Sequence, residues 1–226
     1  MKFSVILADP AWSFSYWSDK GGGTRRTDNH YNVTAQQRME SLHVQEICAD
    51  NCICLMWCSW TFLEDGISLM RTWGFKYKSG APWLKLSADL IPRMGTGYRF
   101  RACSEFMLIG TKGNVPAPKP ADRMLGAILD PGDVDLWNCD LGSFLEVQGA
   151  HSAKPESQYT YAEQYPGPYC ELFARHRRDG WVSLGNELDG LDLSEGIRLV
   201  AENKPVPVLR PTQLTMEYLM AMEESE

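Results

Sequence analysis

The chain has 226 residues, of which 44% are hydrophobic, 23% charged and 11% aromatic, with a formal net charge of −7. This composition excludes wholesale disorder and leaves room for one α/β domain of ordinary size with a short appendage. No apolar run approaches the roughly 20 residues of a membrane helix, and Met1–Leu7 is a short strand-like run unlike a secretory signal, so a cytoplasmic protein without membrane contact is expected.

In chain order, Phe3–Ala8 is a continuous apolar run that predicts a buried strand, ending in Asp9-Pro10-Ala11-Trp12. Residues 13–33 are polar, aromatic and glycine-rich, the pattern of a long functional loop. A helix is predicted to start after Thr34, with Gln37 placed for a capping box, and to run to about Cys48. Asn51–Trp57 reads as the next strand, and a second capping box, Thr61 with Glu64, opens a helix through Trp73 that Gly74 stops. Phe75–Leu86 and Ser104–Thr111 are predicted strands either side of a Gly/Arg-rich loop. Residues 113–150 read as loops with short strands. A helix over Pro155–Gln164, a break at Pro166-Gly167-Pro168, and strands at Tyr169–Ala174 and Trp181–Leu184 follow. Alternating strands and helices predict an α/β fold with a doubly wound, largely parallel sheet. The expected domain is 1–188. Residues 189–226 are expected to form an acidic extension, with a Pro-rich linker Lys204–Pro211 and an amphipathic helix Thr212–Glu224.

Four of the seven cysteines, Cys48, Cys52, Cys54 and Cys58, lie close together, which raises a zinc reading. Cys52 and Cys54 share one face of an apolar strand, where chelation needs a turn that is missing, so buried reduced cysteines are expected and no metal site. The negative charge is unevenly spread. Residues 189–226 hold eight acids and three bases, whereas Lys76–Arg123 holds nine bases and three acids. A basic stretch of this kind follows a phosphate backbone or is a solvated charged face; charge alone does not choose.

Asp9-Pro10-Ala11-Trp12 is by itself a strand-end turn or a catalytic device. As a device it suits a planar conjugated amine, whose lone pair is delocalised into its ring. A fixed carboxylate (Asp9) and a neighbouring carbonyl (Pro10) accept the amine's N–H bonds and favour its pyramidalisation, while Trp12 offers a surface for stacking.

The four residues resemble the Asp-Pro-Pro-Trp signature of the MT-A70 family of adenine-N6 methyltransferases, with Ala11 in place of the second proline. Further matches follow in the family's order: Asn29-His30-Tyr31; Leu55-Met56-Trp57; Trp73-Gly74-Phe75; Trp83-Leu84-Lys85; Gly97-Tyr98-Arg99 with Glu105 and Ile109-Gly110. His151-Ser152-Ala153-Lys154-Pro155, Pro166-Gly167-Pro168, Glu171-Leu172-Phe173-Ala174-Arg175 and Gly185-Asn186-Glu187 complete the series, so the resemblance covers roughly residues 4–188. It implies a Rossmann-like class I methyltransferase sheet, circularly permuted with the catalytic half first and the cofactor half last. This accounts for the missing glycine-rich turn after the first strand.

The resemblance also implies roles. Asp9, Pro10 and Trp12 hold the target adenine, and Asp9 also faces the cofactor S-adenosylmethionine. Lys154 takes the cofactor's methionine carboxylate, and Arg175, Asn186 and Glu187 line its ribose and adenine side. Phe173 is a cofactor wall or plain core; Glu171 is a ribose ligand or a strand-entry acid. The loop residues Tyr16, Lys20, Arg25, Arg26 and Tyr31, with Arg93, Arg99 and Arg101, are the candidates for gripping nucleic acid. The compact chain resembles the short bacterial and phage branch of the family, so DNA is the expected partner. RNA is the nearest alternative, and a silent nucleic-acid-binding partner of an active homologue the next. The acidic tail is read as a homodimer contact or a damper on non-specific binding.

Overall fold

A computed structural model describes residues 1–12, 34–87, 92, 95, 101–118, 145–147 and 154–207. Seven strands form one sheet: β1 (Phe3–Ala8), β2 (Cys48–Cys58), β3 (Lys76–Leu86), β4 (Ser104–Lys112), β5 (Leu145–Val147), β6 (Tyr169–Leu172) and β7 (Trp181–Leu184). Their spatial order is β5-β3-β4-β2-β1-β6-β7; β4 runs antiparallel to its two neighbours and the other pairings are parallel. β1 is an interior strand between β2 and β6, and Phe3, Val5, Ile6, Leu7 and Ala8 are all buried, as a strand covered on both faces requires. A register shift between Phe3 and Val5 puts Phe3 on the same face as Ile6 and Ala8.

Five helices are described: α1 (Thr34–Glu40), α2 (Leu63–Thr72), α3 (Ser157–Ala162), α4 (Asn186–Asp189) and α5 (Leu193–Ala201). One face of the sheet, carrying Ile6, Cys54, Met56, Leu108 and Leu172, is covered by Met39, Leu69, Met70, Trp73 and the apolar stripe of α5. The opposite face, carrying Val5, Leu7, Leu55, Trp57, Trp83 and Met107, packs against Ala162 and Tyr165. α2 lies so close to the sheet that a Cβ on Gly66 would come within 2.9 Å of Leu108 and 3.0 Å of the Cys58 sulfur. Cys48, Cys52, Cys54 and Cys58 are buried free thiols, and among the described residues no group of three or more metal-ligating side chains occurs. No helix of the described residues is long and apolar enough to cross a membrane.

The elements differ from the sequence expectations where tertiary contacts override local signals. α1 stops at Glu40, well short of Cys48. A 3-10 turn over Val44–Glu46 buries Val44 and Ile47, and Phe3 N–H donates to the Ile47 carbonyl at 2.8 Å, drawing the chain into β2. The capping box of Thr61 and Glu64 does not form. Trp60–Phe62 is a 3-10 turn, α2 begins only at Leu63, and its N-cap Phe62 makes no side-chain cap bond. β6 ends at Leu172 because Phe173 has φ +63°, a left-handed conformation that costs a non-glycine residue on the order of 1–3 kcal/mol.

The expected division at 188 falls inside α4, and α5 beyond it is part of the domain core. Asp192 caps α5 through the Ser194 N–H at 2.9 Å, and Leu193, Ile197 and Val200 are buried at helical spacing. Residues 189–201 therefore belong to the body of the domain. The expected helix Thr212–Glu224 lies outside the described residues, as does the linker beyond residue 207.

Candidate active site

The site collects at the carboxyl ends of the parallel strands, where β1 meets β2 on one side and β6 on the other, the position open α/β sheets reserve for ligands. Asp9 is the first residue past β1, and its backbone N–H reaches the Leu172 carbonyl of β6 at 3.4 Å. Its Oδ2 accepts a hydrogen bond from Lys154 Nζ at 2.8 Å. Lys154 precedes the turn into α3, and its side chain is only 9% exposed. The same ammonium lies 3.3 Å from Glu105 Oε2 at the start of β4, and Lys85 at the end of β3 donates to Glu105 Oε1. Four groups of alternating sign, Lys85, Glu105, Lys154 and Asp9, thus form one chain along the rim. They sit on the sheet face of Trp83, Met107 and Leu7, and Lys154 also lies over the Trp57 ring at 6.0 Å.

Burial acts on both carboxyls. It raises the pKa of Asp9, and the Lys154 charge opposes this without cancelling it. Burial pushes Glu105 upward as well, but Lys154 and Lys85 together outweigh it and hold that carboxyl below its usual range.

The aromatic residues of the site are tied to the same rim. Trp12 Nε1 donates to the Trp57 carbonyl at 3.0 Å, and the Trp12 ring stacks on Phe62 with centroids 5.7 Å apart. Trp57 Nε1 donates in turn to Gln158 Oε1 of α3 at 2.7 Å. Trp12 N–H donates to the Pro10 carbonyl at 2.9 Å, closing a tight turn around Ala11 and leaving that oxygen one lone pair. One face of Trp12 is therefore already taken by Phe62.

On the β6 side, Glu171 accepts the Tyr159 hydroxyl at both oxygens, at 3.1 and 3.0 Å, and burial lifts its pKa to about 7. The Arg178 guanidinium covers the Tyr159 ring at 4.1 Å. Phe173 packs partly against the core, so the plain-core reading accounts for at least part of its surface. Arg175 and Glu187 approach to 3.9 Å, a half-exposed pair of little energetic weight, and Asn186 is exposed at the start of α4. Arg101 is exposed, with Nε 3.5 Å from the Gly95 carbonyl. Tyr16, Lys20, Arg25, Arg26, Tyr31, Arg93 and Arg99 lie outside the described residues.

The structure thus brings Asp9, Trp12, Lys154 and Glu171 to one rim, and adds Glu105, Lys85, Gln158 and Tyr159, to which the sequence reading gave no role. A signal was present for two of them. Lys85 and Glu105 each lie two positions from a buried residue of the same strand face, Trp83 and Met107, and charges on such a face need partners. The donor set fits an amino-acid zwitterion. Lys154 can turn a third N–H to a carboxylate, Asp9 can accept from an ammonium, and Asn186 and Glu187 offer groups for hydroxyls.

A model of the MT-A70 family matches residues 3–187. The Type II methyltransferase M.MunI of Mycoplasma sp is 26% identical over 205 residues, covering 83% of this chain and 78% of that protein. The N(6)-adenosine-methyltransferase MT-A70-like of Arabidopsis thaliana is 28% identical over 203 residues, and its MT-A70-like counterpart in Drosophila melanogaster is 30% identical over 198. These alignments cover 87% and 85% of this chain but 25% and 28% of those proteins, so the chain spans about a quarter of their length. The match runs from the first residue of β1 into α4 and takes in every strand of the sheet, and the chain belongs to the MT-A70 family.

Proposed function

We propose that this protein methylates N6 of adenine in DNA, with S-adenosylmethionine as methyl donor and the cofactor half of the fold last in the chain. One observation carries the reading: a partly buried carboxylate, Asp9, at the end of the interior strand β1, fixed by Lys154 and followed within three residues by an aromatic ring on the same rim. The family relation supports the reaction type. The substrate class is favoured by coverage, since the chain spans most of a Type II methyltransferase but only about a quarter of the N(6)-adenosine-methyltransferases.

When bound, S-adenosylmethionine supplies an electrophilic methyl group on a sulfonium. Lys154, Asp9, Arg175, Asn186 and Glu187 are the residues to hold it, with Phe173 and Glu171 beside them. Lys154 fixes Oδ2 of Asp9, which leaves Oδ1 to accept one N–H of the adenine amine. The remaining lone pair of the Pro10 carbonyl accepts the other. Both acceptors are in place before the base arrives, so no reorganisation is needed as positive charge builds on the nitrogen. Burial makes Asp9 the more basic acceptor, suited to hold the proton that the amine must lose. Trp12, anchored to Trp57 and backed by Phe62, presents its second face as a stacking surface.

The test is incubation with isotope-labelled S-adenosylmethionine and either unmethylated duplex DNA or RNA of matched sequence, followed by digestion to nucleosides. The expected product is N6-methyladenine in DNA, reduced at least about a hundredfold in Asp9→Ala, the order associated with one preorganised acceptor. Label confined to RNA overturns the substrate, and label in neither overturns the function.

A further inference from the structure

We infer that Trp60 is a stacking platform for a base neighbouring the target adenine in the substrate strand, an inference that rests on the nucleic-acid reading above. Among the described residues the exposed large apolar side chains are Met1, at the chain end, and Trp60, which is 44% exposed in mid-chain. An indole left in water forgoes the burial that places most tryptophans inside. Yet this ring is held firmly. Its Nε1 donates to Ser104 Oγ at 2.8 Å, and its ring rests tilted against Phe106 with centroids 5.1 Å apart.

Its location ties it to the active rim. Trp60 opens the 3-10 turn that ends in Phe62, the ring stacked beneath Trp12, and it follows by three residues the Trp57 carbonyl that anchors Trp12. Its anchor Ser104 directly precedes Glu105, the carboxylate against Lys154. β2, which leads into the turn, and β4, which carries Ser104, are the first and second neighbours of β1. Strand spacing places them roughly 5–10 Å to the side of the strand that ends at Asp9.

The chemistry narrows the ligand. The indole's one donor is already used by Ser104, so the ring offers a face and no hydrogen bond. A flat base answers to that, and stacking on an aromatic face tolerates any base. Arg101, exposed three residues before Ser104, supplies a cation for the adjoining phosphate.

The experiment compares wild type, Trp60→Ala and Trp60→Phe. It measures binding of fluorescein-labelled oligonucleotides, steady-state methylation, S-adenosylmethionine binding by calorimetry and mass by sedimentation. Trp60→Ala is expected to weaken oligonucleotide binding and raise KM about tenfold with cofactor affinity intact, and Trp60→Phe to recover most of the loss. Once the methylated adenine is mapped, an abasic site beside it should weaken binding to wild type by a similar factor and to Trp60→Ala no further. Unchanged oligonucleotide affinity in Trp60→Ala overturns the inference. So does a loss confined to kcat and cofactor binding, which would mean that the ring only props Ser104 and Glu105, or a drop in mass, which would make it a self-association contact. Absence of methyl transfer by wild type overturns the proposed function instead, and oligonucleotide affinity alone then decides Trp60.

Discussion

Lys154 and Asp9 stand 145 positions apart in the chain and meet at 2.8 Å, so the catalytic carboxylate proposed at the end of the first strand is held by a lysine from the start of the last third. The bond has a consequence for pH dependence. Asp9 must be ionised to accept the amine hydrogen, and burial raises its pKa against the pull of Lys154. Removing the cation in Lys154→Met lifts that pKa further, so the acid limb of the rate profile should move to higher pH. Lys154→Arg should leave it near the wild-type position. The profile of kcat at saturating cofactor measures this, and an unmoved limb in Lys154→Met would separate Asp9 from the limb.

Glu105 neutralises two lysines at once, Lys154 at 3.3 Å and Lys85 on its other oxygen, and its side chain is 19% exposed. Glu105→Gln leaves Lys154 with Asp9 as its near carboxylate and takes from Lys85 the carboxylate it donates to. A stability loss of about 1–3 kcal/mol is expected in denaturant unfolding, below the full cost of breaking a deeply buried pair because the rim is partly wet. Glu105→Gln combined with Lys85→Met should cost less than the two losses added, since each removes the other's partner. Because the Glu105 pKa lies below its ordinary value, the wild-type advantage should be full above that value and vanish as pH falls through the lowered one.

Much of this was legible in the residues. β1, β2, β3, β4, β6 and β7 follow from apolar runs bounded by glycine, proline and polar residues, and the first run, Phe3–Ala8, is buried on both faces as its pattern demands. Asp9 and Lys154 stand out because their spacing within ordered motifs resembles a family. Glu105 and Lys85 lie in motifs that assign them no role, and Tyr159 lies in none; what they do becomes visible when strand order sets β4 between β2 and β3 and brings α3 against β6. The capping box of Thr61 and Glu64 misled for a related reason. Thr61 satisfies the local pattern, but the turn it occupies is shaped by Phe62 reaching Trp12, a contact between residues 50 positions apart that outweighs a cap worth about 1 kcal/mol. α5 was obscured by the acidic composition of the tail, which hides three core residues at helical spacing.

Glu171 gives a second pH signature, in stability. Its pKa stands at about 7, raised first by burial, against an ordinary value of 4.5. A raised carboxyl favours folding fully below its unfolded pKa, and this contribution is lost as pH climbs through the folded one. Wild type should therefore lose stability between about pH 4.5 and 7 on account of this residue. Glu171→Gln retains an acceptor for the Tyr159 hydroxyl and no longer titrates. Its Tm relative to wild type should rise from pH 5 to pH 8, and a difference constant across that range would show that the ionised form carries no penalty.

Gly185 joins β7 to α4 at the point where Asn186 and Glu187 begin, and its backbone, at φ −176°, is a conformation open to any residue. The constraint there is space. A Cβ would stand 2.1 Å from the Ala174 carbonyl oxygen and 2.8 Å from its nitrogen, which is itself bonded to the Leu184 carbonyl at 3.0 Å. Those are backbone atoms and cannot swing aside, so Gly185→Ala must part the ends of β6 and β7. Overpacking of this kind costs about 1–3 kcal/mol. It also displaces Phe173, Arg175 and Asn186 together, so affinity for S-adenosylmethionine should fall about tenfold or more, an order set by losing one charged or two neutral hydrogen bonds. Gly180→Ala is the control, because Gly180 has φ +79° and nothing within 4 Å of its would-be Cβ. That variant should lose about 1 kcal/mol through backbone strain alone and bind the cofactor as wild type does. Calorimetry and thermal unfolding of the pair separate the two effects. Equal cofactor affinity in both variants would remove the β6–β7 junction from the binding site.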